Sequence, residues 1–142
     1  MLRGRFEDAG ELSPEELRAA YDDRLATAID TVGKTIVAEA VDVDEAVLSG
    51  LVEGESPELT LTTAAEILAL DDELPDAESI VAEARDILLM GMSIAVLDVE
   101  AIASGLDDEM EPKEIQQKTE GRFPMTLDEY ALVHNYIERN KQ

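Results

Sequence analysis

The sequence predicts an all-α fold, and three observations predict it. Apolar residues recur at three- and four-residue spacing along most of the chain. Helix-start and helix-stop residues stand at the ends of those stretches. The one strand-like alternation, LTLTT from Leu59 to Thr63, is too brief to hold a strand. A repeat orders these pieces. EGESPELTL begins at Glu53 and EGRFPMTL begins at Glu120, and each leads into an apolar stretch. Gly54 to Gly121 and Pro57 to Pro124 share one offset, and Thr60 to Thr126 is one residue shorter. An internal duplication into two helical units follows. The units cover 13–70 and 77–139, after an N-terminal extension 1–12 and across an acidic linker 71–76, all within one compact domain. The long apolar helix of the second unit is expected at its centre.

The elements can be justified in order. Ser13 and Glu16 form a capping box with Pro14 at the first helical position. Leu17, Tyr21, Leu25, Ala28 and Val32 then make one helical face, stopped by Gly33. A short helix covers Thr35 to Val41. After a turn at Asp42 to Asp44, with Asp44 as cap, another ends in a left-handed Gly54. Thr60, with Thr63 as the alternative, caps the next, which ends before DDELPD. The second unit repeats the plan. Asp76 caps a helix from Ala77 to Leu97, then a short helix spans Val99 to Leu106. Pro112 opens a helix ending at Gly121, and Thr126 with Glu129 boxes the start of the last. The count comes to roughly eight to ten helices.

Eleven Lys and Arg against 34 Asp and Glu give a net charge of −23, yet 45% of the residues are hydrophobic. Such a chain is not disordered by composition. The acid is dispersed, which reads as a coat for a high-salt cytoplasm, where long-range repulsion is screened to about 3 Å at molar salt. Mimicry of nucleic acid and cation binding are the alternatives. The absence of Cys excludes disulfides, thiol chemistry and Cys-ligated zinc. The longest apolar stretch, Ile87 to Leu97, has 11 residues, against roughly 20 needed to span a bilayer. No signal-peptide core is visible in MLRGRFEDAG. The expected place is therefore a cytoplasm, away from the membrane. The Ile87–Leu97 stretch is apolar on nearly all sides, so it suits a bundle centre. A homodimer interface is the alternative, with Gly91, Ser93 and Ala95 permitting close approach.

The segment from Val37 to Gly54, VAEAVDVDEAVLSGLVEG, carries a family pattern. Val37 and Ala38 stand in its first helix, Val41 and Val43 flank its turn, Leu48 and Leu51 lie inside its second helix, and Gly54 and Pro57 follow. In these residues it resembles the helix-turn-helix of the lambda repressor and Cro-like family. Asp42 replaces the family's turn glycine and can still occupy a left-handed conformation. The resemblance is close from Thr35 to Leu70 and looser from Val99 to Ile137, where the turn DDEME is longer. The whole chain also resembles an uncharacterised family of haloarchaea, which implies no activity. The helix-turn-helix resemblance implies a recognition helix for the DNA major groove, or a scaffold kept only for packing.

The two copies differ in what they would offer DNA. The first presents Asp44, Glu45, Ala46, Ser49 and Glu53, whose carboxylates repel phosphate. The second presents Lys113, Gln116, Gln117, Lys118, Thr119 and Arg122, with Ile115 as the core anchor. Glutamine can bond adenine in bidentate fashion, while Lys and Arg contact guanine or phosphate. The bland alternative pairs Lys113 and Lys118 with Glu111 and Glu114 on a solvated surface. No catalytic set assembles: His134 is the single His, set on a helix near Tyr130, and reads as a packed or surface residue. Asp42, Asp44 and Glu53 mimic a calcium loop, but Val47 stands where its glycine belongs. No enzyme, cofactor or metal is expected. The leading expectation is a small regulator that binds DNA weakly through its second unit. A protein-interaction module that keeps the scaffold without DNA contact is the alternative, so the partner is DNA or a regulatory protein.

Overall fold

The computed structural model describes Phe6 and residues 8–141, and among these it is all-helical, with eight α-helices. The first half of the chain contains α1 (Pro14–Val32), α2 (Lys34–Ala40), α3 (Glu45–Val52) and α4 (Leu61–Leu68). The second half contains α5 (Ala77–Ala95), α6 (Val99–Gly105), α7 (Pro112–Thr119) and α8 (Leu127–Arg139).

Local chemistry sets most of the boundaries. The Ser13 hydroxyl accepts from the Glu16 amide at 3.1 Å while Glu16 accepts from the Ser13 amide at 3.0 Å. Thr126 and Glu129 repeat this box at α8, with contacts of 3.1 and 2.9 Å. Thr60, Asp76 and Asp98 cap α4, α5 and α6 through side-chain oxygens. Asp44 stands at the N-cap of α3 without a side-chain bond. Gly54 and Gly121 both hold a positive φ, 88° and 81°, just beyond α3 and α7, where a Cβ would strain the turn.

Three of four helix pairs match in length: α1 and α5 have 19 residues, α2 and α6 have 7, α3 and α7 have 8, whereas α4 has 8 and α8 has 13. An isolated antiparallel bridge joins Thr60 and Thr126. The Leu61 amide donates to the Met125 carbonyl at 2.8 Å, and the Leu127 amide donates to Leu59 at 2.7 Å. The residues before α8 thus satisfy the first amide of α4, and those before α4 the first amide of α8.

One expectation fails. The centre of the bundle is α8, not α5. Helix α8 packs against α1, α4, α5 and α6 and buries Leu127, Tyr130, Ala131, Val133, His134, Asn135 and Ile137. Helix α5 buries Ile80, Val81, Ala84, Leu88 and Gly91 along one side, but leaves Leu89, Ile94 and Val96 exposed. Gly91 does allow close helix approach, but inside the chain: a Cβ there would stand 2.7 Å from Ile137 of α8. Ala9 and Leu12, before α1, are tied to α8. The Asn135 side-chain amide donates to the carbonyls of Ala9 and Leu12 at 2.7 and 2.6 Å.

A second difference concerns the first turn. Among the described residues the left-handed non-glycine positions are Phe6, Val96, Asp107 and Asp108, so Asp42 is not one of them. The chain leaves α2 in extended conformation at Val41 and re-enters a helix from an extended Asp44. It is the longer α6–α7 turn that places two aspartates, Asp107 and Asp108, in the left-handed region that Asp tolerates.

Candidate nucleic-acid interface

Helix α7 carries all the candidate DNA-contacting residues except Arg122, which lies just beyond its end. Pro112 starts it and Ile115, fully buried, fixes it to the core. That anchor decides the fate of the rest. Thr119 lies one turn on, on the same side, and is buried. Its hydroxyl donates to the Ile115 carbonyl at 2.8 Å and lies 3.1 Å from that of Gln116. It faces the core and offers nothing to a ligand, which corrects its assignment to the reading surface.

Lys118 is largely enclosed. Its ammonium donates to Glu114 at 2.8 Å and also to Glu129 at the start of α8. Burial pulls its pKa down, but the bonds to Glu114 and Glu129 and their charges outweigh that and hold the ammonium above its ordinary value. The bond from Lys118 likewise holds Glu114 below the usual carboxylate range. One cation is thus shared by two anions, and the local positive excess is consumed where it would be needed.

The remaining residues are more open. Lys113 and Gln116 are exposed, and the Gln116 amide reaches only weakly to Glu120, at 3.5 Å. Arg122 is exposed and approaches Glu120 at 3.4 Å. Gln117 lines a shallow groove of about 440 Å³ with Glu114, Lys118, Phe123 and Pro124. Arg139 and Lys141, which would extend a positive patch, lie at the other end of α8, about 15 Å along the axis from Glu129 at 1.5 Å per residue. There Arg139 donates to the Leu12 carbonyl at 3.1 Å and Lys141 to Glu138 at 2.9 Å. On the first copy Asp44, Glu45, Ala46 and Glu53 are exposed, and Ser49 accepts from Lys34 at 3.1 Å.

Of two buried polar clusters, the one at Arg18 escaped the sequence, while His134 reads there as a packed or surface residue. Arg18 bonds Asp22 at 2.9 Å, Asp128 at 2.9 Å and the Pro57 carbonyl, while Ser56 donates to Asp22. This ties α1 to the α3–α4 loop and to the start of α8. The i, i+4 spacing of Arg18 and Asp22 was the available signal, but it reads equally as a surface pair. His134 is buried, with the Tyr21 hydroxyl 2.6 Å from Nδ1 and Glu138 3.6 Å from Nε2. Burial lowers the His134 pKa despite Glu138, which favours the neutral ring. If Nε2 carries the hydrogen toward Glu138, Nδ1 accepts from Tyr21, whose own pKa is raised by burial. The Phe6 ring closes over Tyr21 edge-on, with centroids 4.9 Å apart. Tyr21 and His134 are buried, while Glu138 lines an open surface pocket of about 540 Å³ with Asp8, Gly10, Glu11 and Arg139.

Among the described residues no group of three His, Asp or Glu side chains could hold a metal ion, and no single helix is long and apolar enough to cross a membrane. Fold and surface together define a small, acidic, all-α protein in which several of the few cations are paired within the chain. The chain belongs to a family of unknown function, DUF5791, whose profile matches residues 17–140. No curated protein and no solved structure matches it. The family match does not carry the lambda repressor and Cro-like resemblance.

Proposed function

We propose that this protein is a non-catalytic interaction module, built on two duplicated helix-turn-helix-like units, whose partner is a regulatory protein and not DNA. The observation that carries this reading is the clamping of Lys118 between Glu114 and Glu129. Phosphate binding needs cations whose counter-charge can be released, and here the counter-charge is two carboxylates fixed to the same scaffold. The burial of Thr119 supports the same reading by removing a contact from the centre of the face. The reciprocal bonds at Thr60 and Thr126 support the duplication. The dispersed charge of −23 fits work in a high-salt cytoplasm.

A second reading keeps weak DNA binding through α7. It is favoured by the exposure of Lys113, Gln116 and Arg122. Titration of labelled genomic fragments at several salt concentrations separates the two. The interaction module predicts no binding at any salt, and capture of a protein partner from a high-salt lysate that survives nuclease. Binding that Lys113→Glu with Arg122→Glu abolishes would overturn it and install the DNA reading.

A further inference from the structure

A short strap lies against the turn of α8 that carries the chain's single histidine. Residues 8–12 belong to no helix, and among the described residues every hydrogen bond they make to a helix ends on one turn of α8. The Asn135 side chain holds the Ala9 and Leu12 carbonyls, and Arg139 holds Leu12 as well. Gly10 lies so close that a Cβ there would stand 2.9 Å from the Glu138 carbonyl carbon. Phe6 extends the cover by closing edge-on over Tyr21. The strap therefore rests on the same residues that surround buried His134.

Donors and acceptors around that ring match in one protonation state only. The Glu138 carboxylate, 3.6 Å from Nε2, selects the tautomer with hydrogen there, and Nδ1 then accepts from the Tyr21 hydroxyl at 2.6 Å. An added proton can enter only at Nδ1. That nitrogen becomes a donor, and the hydroxyl must turn to accept from it. Among the described residues the hydroxyl has no second partner, so its own hydrogen is left unpaired in the core, which is costly. The ring charge is buried at the same moment. Water beside Tyr21 and His134 relieves both. Phe6 and the strap are the cover that can lift to admit it, because a non-helical segment held by a few side-chain bonds opens more readily than a packed helix.

We propose that residues 8–12, with Phe6, form a pH-gated strap, closed while His134 is neutral and released from α8 when the ring takes a proton. The surrounding groups set the direction. Tyr21 faces the ring from α1 and Tyr130 from α8, with Glu83 of α5 acting on Tyr130. Burial disfavours the charged ring, Glu138 favours it, and Lys141 and the amino-terminal charge oppose it. Glu138 itself is held at about 2, first by its bond with His134, so it stays an anion throughout the range in which His134 titrates. On the strap, Asp8 and Glu11 line the pocket of about 540 Å³ with Glu138 and Arg139. Protonating these two carboxylates eases their repulsion from Glu138 and holds the strap down, so release on acidification falls to His134. The closed state lowers the ring's pKa below the ordinary 6.5 of an open, wetted ring. Closure is therefore fully favoured above about 6.5 and weakens as pH falls below it.

Because His134 is the single histidine, it alone supplies the imidazole signals in an NMR spectrum of the full chain. Titration from pH 7.5 to 5 at one fixed KCl concentration follows those signals together with exchange protection of the Ala9 and Glu11 amides, which bond within the segment. Strap protection should fall along the His134 titration, by no more than about tenfold per pH unit, the limit for one proton. The Ala64 amide of α4, bonded to Thr60, should stay protected over the same range. In His134→Gln the strap should not respond to pH. Gly10→Ala places a methyl group where there is no room, so it should lower strap protection already at pH 7.5. By reciprocity it should also raise the His134 midpoint toward 6.5. A midpoint unmoved by Gly10→Ala would overturn the proposal. So would strap protection that ignores the titration or falls equally in His134→Gln, and so would a ring that stays neutral until the Ala64 amide opens with the whole fold.

Discussion

Alanine at Leu88 and alanine at Ile94 should have unequal effects, although the sequence places both in one apolar stretch. Leu88 is 1% exposed and sits on the side of α5 that meets the core; Ile94 is 57% exposed on the other. Truncating a fully buried leucine removes its transfer free energy and leaves a cavity, together about 2–5 kcal/mol. For a chain of this size one kcal/mol shifts the melting midpoint by roughly 3 °C, so about 3 kcal/mol lowers it by roughly 10 °C. Ile94→Ala should stay within about 0.5 kcal/mol of wild type. Both are read by thermal and urea unfolding at one fixed salt, in solution dilute enough to hold the chain monomeric, with the urea slope unchanged. Equal losses from the two variants, or a larger loss from Ile94→Ala, would refute the orientation of α5 and return it to the bundle centre.

Three further outcomes follow from the same structure. Arg18→Met should destabilise by roughly 3 kcal/mol, because it strands the buried Asp22 carboxylate; a neutral result in urea unfolding would show that the Arg18 cluster is not closed as described. For His134 the folded pKa lies below the ordinary 6.5, so the unfolded chain binds more protons and stability is lost as pH falls below about 6.5. Easing repulsion among the carboxylates acts in the opposite direction, so the comparison is with His134→Gln, whose unfolding free energy should lack this loss; identical slopes for both proteins between pH 7 and 5 would contradict it. Raising KCl from low to molar concentration should raise the melting midpoint by screening 34 carboxylates; a flat or falling midpoint would remove the high-salt reading of the surface.

The sequence by itself determined what short range can determine. Ser13 with Glu16, and Thr126 with Glu129, complete their boxes within one turn. Gly54 and Gly121 end their helices through their own backbone freedom. Helix identity, order and approximate ends were therefore legible. The first turn was not, since the resemblance allowed a left-handed Asp42 that the backbone does not adopt. Nor was the orientation of α5: a helix apolar on nearly every side has no preferred face, so its neighbours decide which side is covered. Helix α8, with a polar residue on almost every turn, became the centre because α1, α4, α5 and α6 surround it. The candidate interface turned on the same distinction. The presence of Lys113, Gln116 and Arg122 on a short helix could be read directly, whereas the turn of Thr119 toward the core depended on where Ile115 is anchored. Lys118 is paired with Glu129, eleven residues away on another helix, and Arg18 met Asp128 across the length of the chain. Such pairs carry no local spacing signal, because they form only when packing brings distant helices to hydrogen-bond distance.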